Sequence, residues 1–178
     1  LRYETSVLQR MDRIQTCSAA NRDYLLSFTP ALDGRIQAGL RAGIDTSRYH
    51  FRVHGREPAT MLFLGNFRHL PNRTALGWFI ERVMPRIRAR RPDCRLVVVG
   101  SELPPRHAFS SSENVEFAGF VDDIREPLAR YAVFVCPILS GSGVRVKLLE
   151  AFAAGIPVVS TRLGAEGLAD DEGEFCAL

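Results

Sequence analysis

From residue 61 onward, short β-branched runs alternate with helix-length amphipathic segments, and nearly every run closes on Gly, Pro or Thr. Strands separated by helical crossovers lie parallel, because a chain that leaves one strand through a helix returns in the same direction. The pattern predicts strands over 61–65 (MLFLG), 95–100 (RLVVVG), 115–119 (VEFAG), 133–137 (VFVCP) and 156–161 (IPVVST). Their almost unbroken apolar character suits strands covered on both faces. The fold class expected is therefore α/β, a parallel sheet flanked by helices.

Between the first two runs a helix is expected to open at Asn72 as N-cap, with Leu76, Phe79, Ile80, Val83, Met84 and Ile87 on its buried side and a kink at Pro85. A second helix is read in DDIREPLARY and a third over 144–154. Ligands of open parallel sheets bind where strand carboxyl ends meet helix N-termini. That draws attention to the loops 65–72, 100–107, 119–123, 137–143 and 161–167. The polar stretch Ser110–Ser112 is assigned no chemistry.

Residues 1–58 read differently. A helix over about 2–11, a short strand RIQTC and a helix capped by Ser18 that runs through Phe28 precede a glycine-rich, extended stretch, GRIQAGLRAGIDTSRYHF. A segment of this size is too short to bury a sizeable core of its own.

Composition narrows the function classes. No apolar run approaches the roughly 20 residues of a membrane-spanning helix, and LRYETSVLQR lacks the charged-then-apolar order of a signal peptide. A cytoplasmic location is expected. Cys17, Cys94, Cys136 and Cys176 are scattered, as are the histidines, so no metal-ligand spacing arises and reduced, mostly buried thiols are anticipated. The formal charge of +3 is too small to argue for nucleic acid, and no nucleic-acid partner is expected. The arginines of ERVMPRIRARRPDCR interleave with Val83, Met84 and Ile87 at helical spacing, as on a solvated helix face.

Lys147, the only lysine among 23 Lys and Arg residues, stands in SGSGVRVKLLEAFAAG, residues 140–155. At helical periodicity Val144, Leu148, Leu149 and Phe152 share one side, and Gly143, Lys147, Glu150 and Ala154 another. Backbone amides of Gly141, Ser142 and Gly143 at a helix start form an anion site, to which Arg145 and Lys147 add positive charge suited to a diphosphate. Glu150 lies too far along the helix for phosphates. Its two acceptor oxygens suit the neighbouring hydroxyls of a ribose. The alternative is a surface ion pair between Lys147 and Glu150 at i,i+3.

These residues resemble, in order and spacing, the C-terminal nucleotide-sugar domain of group 1 (family 4) GT-B glycosyltransferases. FLGNFRHLPN, LVVVGSELPP and VEFAGFVDDIREPLARYAVFVCPILSGSGVRVKLLEAFAAGIPVVSTRLGAEGL carry the likeness over about residues 59–170, most specifically at GxGVRxKxLEAxAAGxPVVST. It implies a Rossmann-like sheet forming the C-terminal half of a GT-B fold. By the same resemblance, residues 1–30 are the remnant of an N-terminal acceptor domain, 31–58 an interdomain linker, and 59–178 a donor-binding domain truncated at its C-terminus.

The resemblance implies a retaining hexosyltransferase that uses a UDP- or GDP-sugar without an obligatory cofactor or metal. Its acceptor would be a glycan or a lipid-linked molecule, with the full-length protein at the cytosolic face of the inner membrane in the latter case. It places Glu150 at the second Glu of the family's Glu-x7-Glu motif, on the ribose, and leaves Ser142 where the first Glu belongs. The phosphate loop, Gly65, Asn66 and Arg68, carries Asn66 and Pro71 where the family commonly has Arg and Lys, so that Arg68, or Arg145 with Lys147, would supply the charge. Backbone near Phe120 and Val121 would bond the base; for the side chains, the competing reading makes Phe120 core and Asp122 a helix N-cap. Glu166 is either near the cleft or a turn residue. No catalytic residue is assigned, and Arg145, Lys147 and His69 are the candidates. A nucleotide-sugar 2-epimerase and a non-catalytic nucleotide-binding or scaffold module are the competing functions.

Overall fold

The computed structural model describes residues 2–39, 42–105, 108–109 and 113–168. Ser110–Ser112, Cys176, the last two residues of the 100–107 loop and the end of the expected donor domain lie outside the described residues. Helices α1 (Arg2–Leu8) and α2 (Ala19–Phe28) accompany strands β1 (Ile14–Thr16) and β2 (Ile36–Ala38). The main body follows as β3 (Glu57–Leu64), α3 (Leu70–Trp78), α4 (Met84–Arg90), β4 (Arg95–Val99), β5 (Val115–Gly119), α5 (Arg125–Arg130), β6 (Tyr131–Cys136), α6 (Val146–Ala153) and β7 (Val158–Ser160).

The five main strands form one sheet in the order β5-β4-β3-β6-β7, and every neighbouring pair is parallel. All five predicted strands are present, and the α/β expectation holds. Leu62, Phe63, Leu96, Val97, Val98 and Phe134 are fully enclosed, as the continuous apolar runs required. The chain starts in the middle of the sheet at β3, builds outward through β4 and β5, then returns to the other side of β3 with β6. That reversal opens a crevice at the carboxyl ends of β3 and β6, the position where open sheets accept ligands.

Several boundaries differ from expectation. The first crossover helix starts at Leu70, with His69 in the N-cap position and Pro71 in its first turn, so Asn72 is not its cap. Proline is tolerated there because first-turn N–H groups have no helical partner. The disturbance expected at Pro85 takes the form of a π-helical segment over Phe79–Val83, in which Met84 N–H donates to Phe79 O, five residues back. Pro85 has no N–H to offer Glu81, and the widened turn absorbs that loss. Helix α6 begins at Val146, two residues later than predicted. Charges of the arginine-rich segment meet acids: Arg88 on α4 pairs with Glu113, Arg91 just after the helix with Asp93, and Arg95 at the start of β4 with Glu57 and Glu116.

The front segment contains a strand that periodicity did not reveal. β2 pairs with β1 in parallel, Ile14 opposite Ile36. A small separate cluster of Ile14, Leu32 and Ile36 forms, with Leu8, Leu25 and Leu26 packed against it. Ser18 does cap α2, accepting from Asn21 N–H at 3.1 Å. Between this unit and β3 the described residues include a 3₁₀ turn, Thr46–Arg48, capped by Asp45.

Arg56 ties that connecting segment to the sheet. Its guanidinium donates to Leu128 O at 2.6 Å, Tyr131 O at 2.9 Å, and Ala154 O and Arg52 O at 2.7 Å each. It thereby serves carbonyls at the ends of α5 and α6, where the cationic group also complements the negative helix termini.

Candidate functional site

Beside the reversal point, a cleft of about 260 Å³ is lined by Leu64, Gly65, Asn66, Val99, Gly100, Ser101, Phe120, Val121, Ile124, Lys147 and Glu150. Its back wall is the ends of β3 and β4, which approach very closely. A β-carbon on Gly100 would stand 1.7 Å from Gly65 O, and its φ of 148° is one that side chains rarely tolerate, so only glycine closes this corner.

Lys147 enters from α6. Its Nζ donates to Leu64 O at 3.0 Å and to Asn72 Oδ1 at 3.3 Å, and lies 5.2 Å from the centre of the Phe63 ring. The apolar stem is covered while the ammonium reaches the end of β3. Burial pushes its pKa below the ordinary lysine value, Cys136 opposing the shift and Arg145 adding to it. The predicted alternative, a surface pair between Lys147 and Glu150, does not form: Glu150 Oε1 instead accepts from Tyr49 Oη–H at 3.0 Å.

The loop after β3 is shaped by its own side chains. Asn66 Oδ1 accepts from Arg68 N–H at 2.9 Å, and Asn72 Nδ2 donates to Asn66 O at 2.8 Å. The Arg68 side chain lies outside this cleft. With Asn66 and Pro71 in the loop, Lys147 is the cation that stands at the end of β3. A second cavity of about 230 Å³ is lined by His69, Pro71, Asn72, Ile138, Ser140, Gly141, Ser142 and Arg145. The Lys147–Asn72 bond joins the two, since Lys147 lines one and Asn72 the other.

The family model described as "Glycosyl transferases group 1" matches residues 58–177. The chain belongs to this family. Among curated relatives it is similar to a phosphatidyl-myo-inositol mannosyltransferase of Propionibacterium freudenreichii subsp. shermanii, at 33% identity over 127 residues, 68% of this chain and 31% of that protein. It is also similar to a GDP-mannose-dependent monoacylated alpha-(1-6)-phosphatidylinositol monomannoside mannosyltransferase of Corynebacterium glutamicum, at 34% identity over 70% of this chain and 38% of that one. The chain thus spans about a third of the length of such relatives. In fold it is similar to TarM, with TM-score 0.78 and 13% identity over 99% of this chain and 35% of that one. It is likewise similar to Anabaena Alr3699/HepE in complex with UDP, with TM-score 0.67 and 15% identity over 96% and 50%. These likenesses establish the GT-B glycosyltransferase fold.

Among the sequence-predicted residues of this group 1 glycosyltransferase chain, Gly65, Asn66, Phe120, Val121, Lys147 and Glu150 share the first cleft. His69, Gly141, Ser142 and Arg145 share the second. Two details of the glycine-rich loop differ from expectation. Because α6 starts at Val146 and not at Val144, Gly141–Gly143 stand two residues further from the helix start than expected, and Gly141 and Gly143 have φ of 97° and 91°. The Gly143 amide is also engaged, donating to Glu166 Oε1 at 3.4 Å. Arg145 folds back, its Nη1 bonding Ser142 O at 2.6 Å and also Gly143 O.

Phe120 is 70% exposed, which corrects the reading of it as core. Asp122 is not the cap of α5 either: Asp123 Oδ1 accepts from Arg125 N–H at 2.9 Å, and the Arg125 guanidinium beside it holds the Asp123 carboxyl down to about 2.

Two connections escaped sequence reasoning. Glu166 Oε1 also accepts from Asn21 Nδ2 at 3.1 Å and Ser18 Oγ at 3.3 Å, so it joins the glycine-rich loop to the start of α2. Tyr49, in the connecting segment, reaches Glu150 across 101 positions of sequence. Neither has a local signal; the preceding Asp45-Thr46-Ser47 turn is the nearest mark of an ordered approach to Tyr49.

Proposed function

We propose that this chain is the donor-binding part of a retaining glycosyltransferase that takes a hexose from a nucleoside diphosphate sugar, UDP- or GDP-linked, and delivers it to a glycan or lipid-linked acceptor. The single observation that carries the reading is the placement of Lys147 and Glu150, one helical turn apart, on one wall of the cleft beside the sheet's reversal point. A diphosphate and a ribose are separated by a comparable step along a nucleotide.

In this reading the base lies along Phe120 and Val121, the ribose hydroxyls meet Glu150, and the diphosphate meets Lys147 and the amides of Gly141 and Ser142. The donor's sugar extends toward His69 and Arg145. Fixed positive charge aimed at the diphosphate stabilises it as it departs, which is the role of an electrophilic clamp in group transfer. Residues 1–30 are the acceptor-side remnant, 31–58 the connection, whose strand β2 pairs with β1 of the remnant, and the donor domain follows from residue 59. The family membership, the UDP named with Anabaena Alr3699/HepE and the GDP-mannose dependence named for the C. glutamicum relative support a nucleotide-sugar donor.

Calorimetric titration of UDP, GDP and ADP into the wild-type chain and Glu150→Ala tests this. At least one nucleotide should bind the wild type, and Glu150→Ala should weaken it by about tenfold or more, the worth of a charge-assisted hydrogen bond. Absence of binding by every nucleotide would remove the reading. The 178-residue chain should bind without transferring sugar, because GT-B chemistry takes place between two domains; measured turnover would overturn that part.

A further inference from the structure

We infer that Tyr49 is a positioning residue for the nucleotide's ribose: it fixes the Glu150 carboxylate from behind and makes the connecting segment part of the donor site. This rests on the reading of Glu150 as the ribose acceptor given above. Tyr49 Oη donates to Glu150 Oε1 at 3.0 Å, while Oε2 carries no protein hydrogen bond among the described residues. The carboxylate forms part of two walls. It lines the cleft with Lys147 and Phe120, and also a neighbouring cavity of about 240 Å³ bounded by Arg48, Tyr49, Asp122, Asp123, Ile124 and Arg125. Tyr49 lines only the latter. It therefore acts on a bound nucleotide through Glu150 and not by touching it.

The phenol itself is held firmly. Asp45 Oδ1 accepts from Ser47 N–H at 3.1 Å and caps the Thr46–Arg48 turn, and Arg125 Nη1 donates to Arg48 O at 3.4 Å. The Tyr49 ring packs against the main core. A free glutamate side chain samples many rotamers, and ordering it on binding costs conformational entropy. A tyrosine that has already selected one rotamer removes that cost and leaves Oε2 turned to the ligand. Burial and the neighbouring carboxylate raise the Tyr49 pKa, which keeps the phenol a donor through the neutral range.

The test compares wild type, Tyr49→Phe and Glu150→Ala by calorimetry with UDP and GDP and with their 2′,3′-dideoxy counterparts, alongside thermal unfolding of each protein. Tyr49→Phe should unfold within a degree or two of wild type, bind the ribonucleotide about three- to tenfold more weakly, and bind the dideoxy nucleotide as wild type does. In Glu150→Ala the further change Tyr49→Phe should have no effect. If Glu150→Ala weakens the ribonucleotide but Tyr49→Phe does not, the Tyr49 inference is wrong while the ribose reading stands. A Tyr49→Phe loss equal for both nucleotides is a structural effect and also overturns it. If Glu150→Ala binds as wild type, or no nucleotide binds, the ribose reading itself fails and the inference with it.

Discussion

Replacing Lys147 by methionine isolates what the chain's single lysine contributes. Methionine preserves the unbranched stem along Phe63 but removes the ammonium. That ammonium has three N–H donors; two serve Leu64 O at 3.0 Å and Asn72 Oδ1 at 3.3 Å, which leaves a third for a phosphate oxygen in the cleft that Lys147 lines. One charge-assisted bond to a phosphate oxygen is worth about 1.5–3 kcal/mol, so Lys147→Met should weaken UDP or GDP by about 10- to 150-fold. A nucleoside without phosphates should bind equally to both proteins.

Without ligand the sign reverses. Because burial lowers the Lys147 pKa, the unfolded chain binds more protons than the folded one between that lowered value and 10.5. Over this window the wild type gains stability as pH rises, and below it the full cost of the buried charge is present. Lys147→Met lacks this dependence, so the difference between the two unfolding curves should shrink toward pH 10.5 in the wild type's favour. Calorimetric titration and urea unfolding at several pH values measure both effects. Equal weakening of nucleoside and nucleotide, or an unchanged UDP and GDP affinity, would refute the assignment of Lys147 to the diphosphate.

Three further outcomes follow from the packing. Gly100→Ala forces a β-carbon to 1.7 Å from Gly65 O and should cost about 3 kcal/mol or more in urea unfolding; a change under about 0.5 kcal/mol would contradict the close approach of β3 and β4. Arg56→Ala removes the guanidinium that serves the carbonyls of Leu128, Tyr131 and Ala154, the last of which keeps the Arg52 amide as a donor, and should lower stability by about 2 kcal/mol, with Arg56→Lys recovering little because an ammonium cannot span all three. Glu166→Ala frees the Gly143 amide and disconnects Ser18 and Asn21; hydrogen exchange should accelerate at the start of α2 and in the glycine-rich loop together, and acceleration in one alone would argue against a shared tie.

The sheet was legible because each strand is a local event: a β-branched run closed by a breaker, repeated at crossover spacing. The Lys147–Glu150 spacing was legible for the same reason, since helical periodicity relates residues three apart. Ends were less legible. Asn72 has the chemistry of a cap, yet Pro71 fits the first turn better and moves the helix start upstream. β2 is too short for alternation to register, and it exists because β1 lies beside it.

Local sequence thus determined the parallel α/β class and the arrangement of a cation and a carboxylate on one helix, whereas the need for glycine at position 100 comes from Gly65 O across the sheet. Tertiary structure decided what those two groups meet. Strand order puts β6 beside β3, so the helix after β6 delivers Lys147 to Leu64 O instead of to its helical neighbour Glu150. The connecting segment brings Tyr49 to Glu150 from 101 residues away, and Glu166 reaches back to Asn21 across 145. Contacts of that separation depend on how whole elements pack, and no local periodicity encodes them.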